Sequence, residues 1–191
     1  PIPDGWAIVC AGNPPEYNKS VRAFDVVTLD RVRKITVEPD YPVWREYALQ
    51  KGIHPAVTSY LDARQKHFYV MENTPDGKTF VTARGWEDLS EMLYLYREVG
   101  AEPGEKLFEQ YLQNDRVARA FGIYYALFQK YRSDYQIGDI LDGHWDDAIL
   151  ERARKSGFEE RLSLLGLLLD SVKGAVREAL QEEEITTDLH G

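Results

Sequence analysis

The sequence has little from which to build covalent cross-links or a membrane span. It holds a single cysteine, Cys10, in 191 residues, so no internal disulfide can form. Cys10 falls in the run Trp6-Ala7-Ile8-Val9-Cys10-Ala11 and reads as a small buried hydrophobe in a strand, in keeping with a reducing compartment. No apolar stretch approaches the roughly 20 residues that cross a bilayer, and there is no charged-then-apolar leader pattern. Basic charge is also scarce. The 23 Lys and Arg face 32 Asp and Glu, and the net charge of -9 argues against broad binding to nucleic acid or anionic membranes, because no cationic excess exists to displace counterions. Paired Ser/His/Asp or Cys/His groups for nucleophilic catalysis are lacking too. What is there is an ordinary globular apolar content of 43%, and a cytoplasmic protein is expected.

The chain opens without methionine, at Pro1-Ile2-Pro3-Asp4-Gly5-Trp6, and passes at once into a predicted buried strand, 6–11, that stops at Gly12-Asn13-Pro14-Pro15. It therefore reads as the C-terminal piece of a longer protein. Phe24 to Val32 is predicted as a short helix and Ile35-Thr36-Val37 as a second strand. Two strands without sheet partners imply that most of this first domain lies elsewhere.

From Asp40 the pattern turns helical. Asp40 is placed as an N-cap, Val43, Trp44, Tyr47 and Ala48 form one apolar face, and Gly52 closes the helix. Pro55 at a first helical position starts the next, with Ala56, Val57, Tyr60 and Leu61 inward. Residues 68–71 and 79–82 are predicted to form a hairpin through Pro75-Asp76-Gly77. Thr82 caps a helix that carries Trp86, Leu89, Leu93 and Tyr96 and ends at Gly100. A later helix bears the aromatic stripe Phe121, Tyr124, Tyr125, Phe128 and Tyr131, and another runs from about Trp145 to Arg154. The last, about 158–181, repeats apolar residues at Phe158, Leu162, Leu165, Leu169, Val172 and Val176 in steps of four and three. That seam is expected to pack on another helix of this chain, with self-association or a missing domain as the lesser alternatives.

Some stretches imitate sites. Gly77-Lys78-Thr79 resembles the end of a phosphate-binding loop, but Glu72 stands where a glycine is needed and the segment falls in a hairpin instead of between strand and helix. Leu167-Leu168-Leu169-Asp170 imitates an ATPase metal-binding strand but belongs to the helical seam. His144 among Asp142, Asp146 and Asp147 fits no recognised metal loop, and a turn leading into a helix explains it.

Three stretches in order carry the chemistry: Ala11-Gly12-Asn13-Pro14-Pro15-Glu16-Tyr17-Asn18, Thr28-Leu29-Asp30-Arg31-Val32 and Thr82-Ala83-Arg84-Gly85-Trp86. Over residues 6–100 the chain resembles the MoxR-like AAA+ ATPases, in which a strand ends in Asn-Pro, a Leu-Asp-Arg motif follows and a lid helix opens with Ser-Pro-Arg. The resemblance implies a mainly α chain. Residues 1–38 would be the end of an α/β AAA+ core holding one or two strands, 39–135 a helical lid with a small β-hairpin, and 136–191 a helical extension.

It makes Asn13 the sensor-1 residue, whose neutral amide orients the attacking water, and Arg31 the arginine finger projected into a neighbouring subunit. Arg22 or Arg33 would be able to share the finger role. Read without the resemblance, Arg31 is a surface residue paired with Asp30 or Glu38. Arg84 becomes the sensor-2 arginine, placed beside the free amides of a helix N-terminus where a phosphate is favoured. Ala83 stands where the family has proline and Gly85 follows it, so a loosened first turn is expected.

The implied parent is a ring-forming ATP hydrolase that remodels partner proteins, the resemblance suggesting clients with von Willebrand factor A domains. ATP and Mg²⁺ would be held through motifs upstream of Pro1. This fragment alone would be inactive and bind neither tightly. The competing reading is a non-enzymatic helical interaction module that docks partners through the aromatic stripe and the 158–176 seam. A DNA-associated clamp-loader type of machine is disfavoured by the acidic charge.

Overall fold

Helix starts leave amide groups without intrahelical partners, and a short polar side chain just upstream can accept from them. In the computed structural model, which describes residues 3, 5–12, 25–75 and 77–188 and only the backbone of 178 and 181–188, this device recurs. Asp25, Asp40, Thr82, Asn114 and Asp146 each accept from the amide three residues on. The chain is mainly α-helical, with one two-stranded hairpin among the described residues. It divides into two units, Pro1–Glu38 and Pro39–Gly191.

The first unit contains α1 (Val26–Arg31), within the span where a helix is expected. Neither expected strand forms. Residues 6–12 and 33–38 pair with no other described segment, and their apolar side chains are open to solvent, Val9 being 91% and Val37 88% exposed. Cys10, read as buried, is exposed as well. A strand is held by the hydrogen-bond ladder of a neighbour, and these segments have none among the described residues.

The second unit begins with α2 (Tyr41–Lys51), capped by Asp40 and closed by Gly52 in the left-handed region at φ 77°. It buries Tyr41, Trp44 and Ala48, whereas Val43 and Tyr47 of the expected apolar face are exposed. In α3 (Pro55–Ala63), Ala56, Val57, Tyr60 and Leu61 point inward as their spacing predicts. After a 3-10 turn at Gln65–His67, β1 (Val70–Thr74) pairs antiparallel with β2 (Gly77–Val81), Val70 opposite Val81 and Thr74 opposite Gly77. Gly77-Lys78-Thr79 therefore belongs to a strand.

Next come α4 (Ala83–Glu98), α5 (Glu105–Tyr111) and α6 (Asp115–Asp134). The predicted stripe of α6 is core: Phe121 meets Tyr60 edge-on at 5.2 Å and Trp86 at 5.3 Å, geometry that suits the ring quadrupoles. The chain ends in α7 (Ile137–Leu141), α8 (Asp147–Lys155) and α9 (Phe158–Asp188).

The packing of α9 differs from expectation. It lies along α3 through Ser163, Gly166 and Leu167, and a β-carbon on Gly166 would come within 3.4 Å of the Pro55 side chain. The Tyr124 hydroxyl bonds Ser59 at 2.8 Å and Ser163 at 2.7 Å, tying α6, α3 and α9 together in the interior. Phe158, Leu165, Leu169, Val172 and Val176 of the predicted seam are exposed instead. The helix is apolar on two faces, and the core took the one with small residues, which allow close helix approach.

Candidate functional site

Arg84 is the second residue of α4, on a backbone held from several sides. Val81, at the end of β2, is fully buried and leads directly into Thr82, whose hydroxyl accepts from the Gly85 amide at 3.2 Å. Trp86 is fully buried, and its indole N–H donates to the His67 carbonyl at 3.2 Å. The Phe80 amide donates to the Gln113 carbonyl at 2.8 Å, joining β2 to the segment after α5.

Gly85 does not loosen this turn, as had been expected. Its α-carbon packs against the end of α5, where a β-carbon would stand 2.5 Å from the Tyr111 carbonyl oxygen. The first turn of α4 is therefore held by close packing, with Ala83 in place of a proline.

The Arg84 side chain is exposed and has no ion-pair or hydrogen-bond partner among the described residues. One helical turn on, Glu87 takes the Tyr47 hydroxyl at 2.7 Å and approaches Lys51 at 3.9 Å. The position thus offers an uncompensated guanidinium beside the first amides of a 16-residue helix, an arrangement suited to an anion.

Arg31 is the last residue of α1 and is likewise exposed, with its charge at the helix end that favours a cation. It forms no salt bridge to Asp30 or Glu38 among the described residues, and the neighbouring Arg33 donates only to the Val32 carbonyl at 3.4 Å. Asn13 and Arg22 lie outside the described residues. Arg31 belongs to the first unit and Arg84 to the second, so the three predicted site residues are not brought together in one described body.

Two features carry polar chemistry that the sequence did not disclose. Asp62 on α3 receives both arms of Arg45, at 2.5 and 2.8 Å, and the Tyr41 hydroxyl at 2.7 Å, joining α2 to α3. Burial, with the Asp62 carboxylate beside it, raises the Tyr41 phenol above its usual range and keeps it a donor. The i to i+4 offset from Tyr41 to Arg45, followed by an aspartate on the next helix, was the available signal.

The second is an open cleft of about 650 Å³ lined by Asp62, Arg64, Lys66, His67 and Glu159. There Arg64 pairs with Glu159 at 2.8 Å, lies over the Tyr60 ring at 5.2 Å and keeps Nη1 buried without a partner. His67 accepts or donates through Nδ1 to the Tyr60 hydroxyl at 2.7 Å, and burial, then the nearby cations, lowers its pKa.

Among the described residues no group of three or more His, Cys, Asp or Glu could hold a metal ion. The acidic stretch around His144 serves the turn: the His144 amide donates to the Asp139 carbonyl at 2.7 Å, and Asp146 caps α8. No described helix is long and apolar enough to cross a membrane. No protein-family model matches the chain, and neither a curated protein nor a solved structure matches it.

Proposed function

We propose that this chain is the sensing and coupling portion of a cytoplasmic AAA+ ATPase of the MoxR-like kind. The observation that supports it best is Arg84: an unpaired guanidinium at the start of α4, on a turn fixed by Gly85 and Trp86, where the resemblance expects a γ-phosphate contact. Arg84 would read the nucleotide of its own subunit, and Arg31, equally free of partners among the described residues, would reach that of a neighbour. Asn13 would orient the attacking water. ATP and its Mg²⁺ would be held by nucleotide-capturing motifs of the parent protein. The product of the cycle would be a conformational pull on client proteins, those with von Willebrand factor A domains among them.

In the full-length protein, Arg84→Ala should reduce ATP turnover at least about tenfold while the fold is kept, and Arg31→Ala should do the same only in the assembled ring. Unchanged turnover in both variants at saturating protein would defeat the reading. The isolated 191-residue chain should show no magnesium-dependent ATPase activity.

A non-enzymatic interaction module remains the second reading, and the exposed seam of α9 favours it. The aromatic stripe does not, because Phe121, Tyr124, Tyr125 and Phe128 are in the core.

A further inference from the structure

Position along α9 sets which way each side chain faces, since successive residues turn by about 100°. Leu167, docked against the core, is nine residues from both Phe158 and Val176, or about 180° round the helix. The stripe of Phe158, Leu162, Leu165, Leu169, Val172 and Val176 therefore looks directly away from the body that carries it. Exposures along it run from 46% at Val172 to 69% at Phe158, with Leu162 half-buried. No charged residue interrupts the stripe, and its spacing is that of a coiled-coil seam, Leu162, Leu169 and Val176 at one core position and Phe158, Leu165 and Val172 at the other.

The geometry points to a second copy of this chain as the occupant, in an antiparallel two-helix pairing centred on residue 167. Reversed about that point, the seam matches itself in every layer: Phe158 meets Val176 of the other copy, Leu162 meets Val172, and Leu165 meets Leu169. The flanking charges agree with this orientation. Glu159 and Lys173 both border the seam on the same edge, and antiparallel pairing brings each opposite the other's counterpart, giving two attractive pairs by symmetry. On the other edge Arg161 faces Ala175, with no like charge opposed. A parallel pairing would instead place Arg161 by Gly166 and Leu168 by Lys173, with no attraction across the edge.

Glu159 already holds Arg64 at 2.8 Å, yet its side chain is 48% exposed and has oxygen capacity for a second cation. Lys173 donates to the Leu49 carbonyl at 3.3 Å, which holds it at that edge.

Area and shape are also sufficient. The exposed portions of the stripe amount to roughly 550 Å² per copy, so the pair buries at most about 1,100 Å², the size of a weak, reversible interface. Because the docked and seam faces are opposite, the cores of the two second units lie on opposite sides of the helix pair.

This contact goes beyond the ATPase reading and does not depend on it. A ring is built from head-to-tail contacts, whereas this one is two-fold and self-complementary; in a ring-forming parent it would join one ring to another.

Sedimentation equilibrium of the 191-residue chain without nucleotide tests it. A reversible monomer–dimer equilibrium is expected between about 1 and 100 µM. Leu165→Lys with Leu169→Lys, at exposed positions, should give a monomer with unchanged helical circular dichroism. Glu159→Lys alone should weaken the dimer about tenfold, and adding Lys173→Glu should restore it to within about threefold. With Cys10→Ser as background, Phe158→Cys mixed with Val176→Cys should form the mixed disulfide in preference to either self-linked product. A monomeric parent chain, an oligomer that survives the double lysine variant, or preferential Phe158→Cys self-linkage would each overturn the proposal.

Discussion

The α-carbon of Gly85 lies against the backbone carbonyl of Tyr111 so closely that a β-carbon would stand 2.5 Å from the oxygen. The atom in the way is backbone, so relief requires moving the end of α5 away from the start of α4. Gly85→Ala should lower stability by about 2–4 kcal/mol, seen as a lower denaturant midpoint at unchanged slope. Gly174→Ala is the counterpart. It sits inside α9 with no heavy atom within 4 Å of the added carbon and should raise stability by up to about 1 kcal/mol. Equal effects of the two would contradict the role given to the Tyr111 contact.

Asp62 is the shared acceptor for Arg45 and Tyr41, and its removal strands a mostly buried phenol as well as a guanidinium. Asp62→Ala should cost about 2–4 kcal/mol, and Asp62→Asn, which keeps an acceptor for Tyr41, about half of that. Thermal unfolding separates the two. Because the pair is only partly exposed, the loss should persist at high salt.

The Tyr124 hydroxyl is the join between α3, α6 and α9. Tyr124→Phe leaves Ser59 and Ser163 without it, though each retains a backbone carbonyl, Pro55 and Glu159 respectively. A loss of about 1–2 kcal/mol is expected, with amide exchange quickening first in α9. Uniform quickening across the whole second unit would show that the join is not specific to α9.

His54 begins α3 with Nδ1 accepting from the Ala56 amide at 3.2 Å, which requires an unprotonated nitrogen there. Burial holds its pKa down at about 3, against an ordinary value of 6.5. The unfolded chain therefore takes up a proton at this residue between those values while the native protein does not. Its contribution to stability is complete above pH 6.5 and is lost as pH falls, by about 1.4 kcal/mol per unit, until the native His54 titrates near pH 3. Urea midpoints between pH 7 and 5, above the range of most carboxylates, should show that slope in the parent chain. His54→Asn, which keeps a capping acceptor, should remove most of it and leave the part contributed by His67, whose pKa burial also lowers.

Much of the second unit was legible because its signals are local. Asp40, Gly52, Pro55 and Thr82 act within a turn of themselves, and each marks the boundary it was read to mark. The hairpin and the α6 stripe were legible from alternation and helical spacing. Segments 6–11 and 35–37 were not, because apolar content alone does not make a strand without a neighbouring backbone. In α9 the regular repeat identified an apolar stripe but not the side on which the helix docks. That choice rested on Ser163 and Gly166, two small residues whose value appears only when Pro55 and Ser59 lie opposite. For the site, helix position predicted where Arg84 stands, while the partners of Arg64 and Asp62 depend on residues far away in sequence and left no local trace.

The two ends of α4 have different attachments. Arg84 opens it, and near its far end Arg97 grips Asp170 of α9 at 2.9 Å, with the Tyr94 hydroxyl at 3.4 Å from the same carboxylate. Its 16 residues form a rod about 24 Å long, so a tilt of about 5° about the Gly85–Tyr111 contact shifts the other end by about 2 Å. The two arginines thus stand at opposite ends of one rod, and the one at its far end ties it to the helix that carries the outward seam.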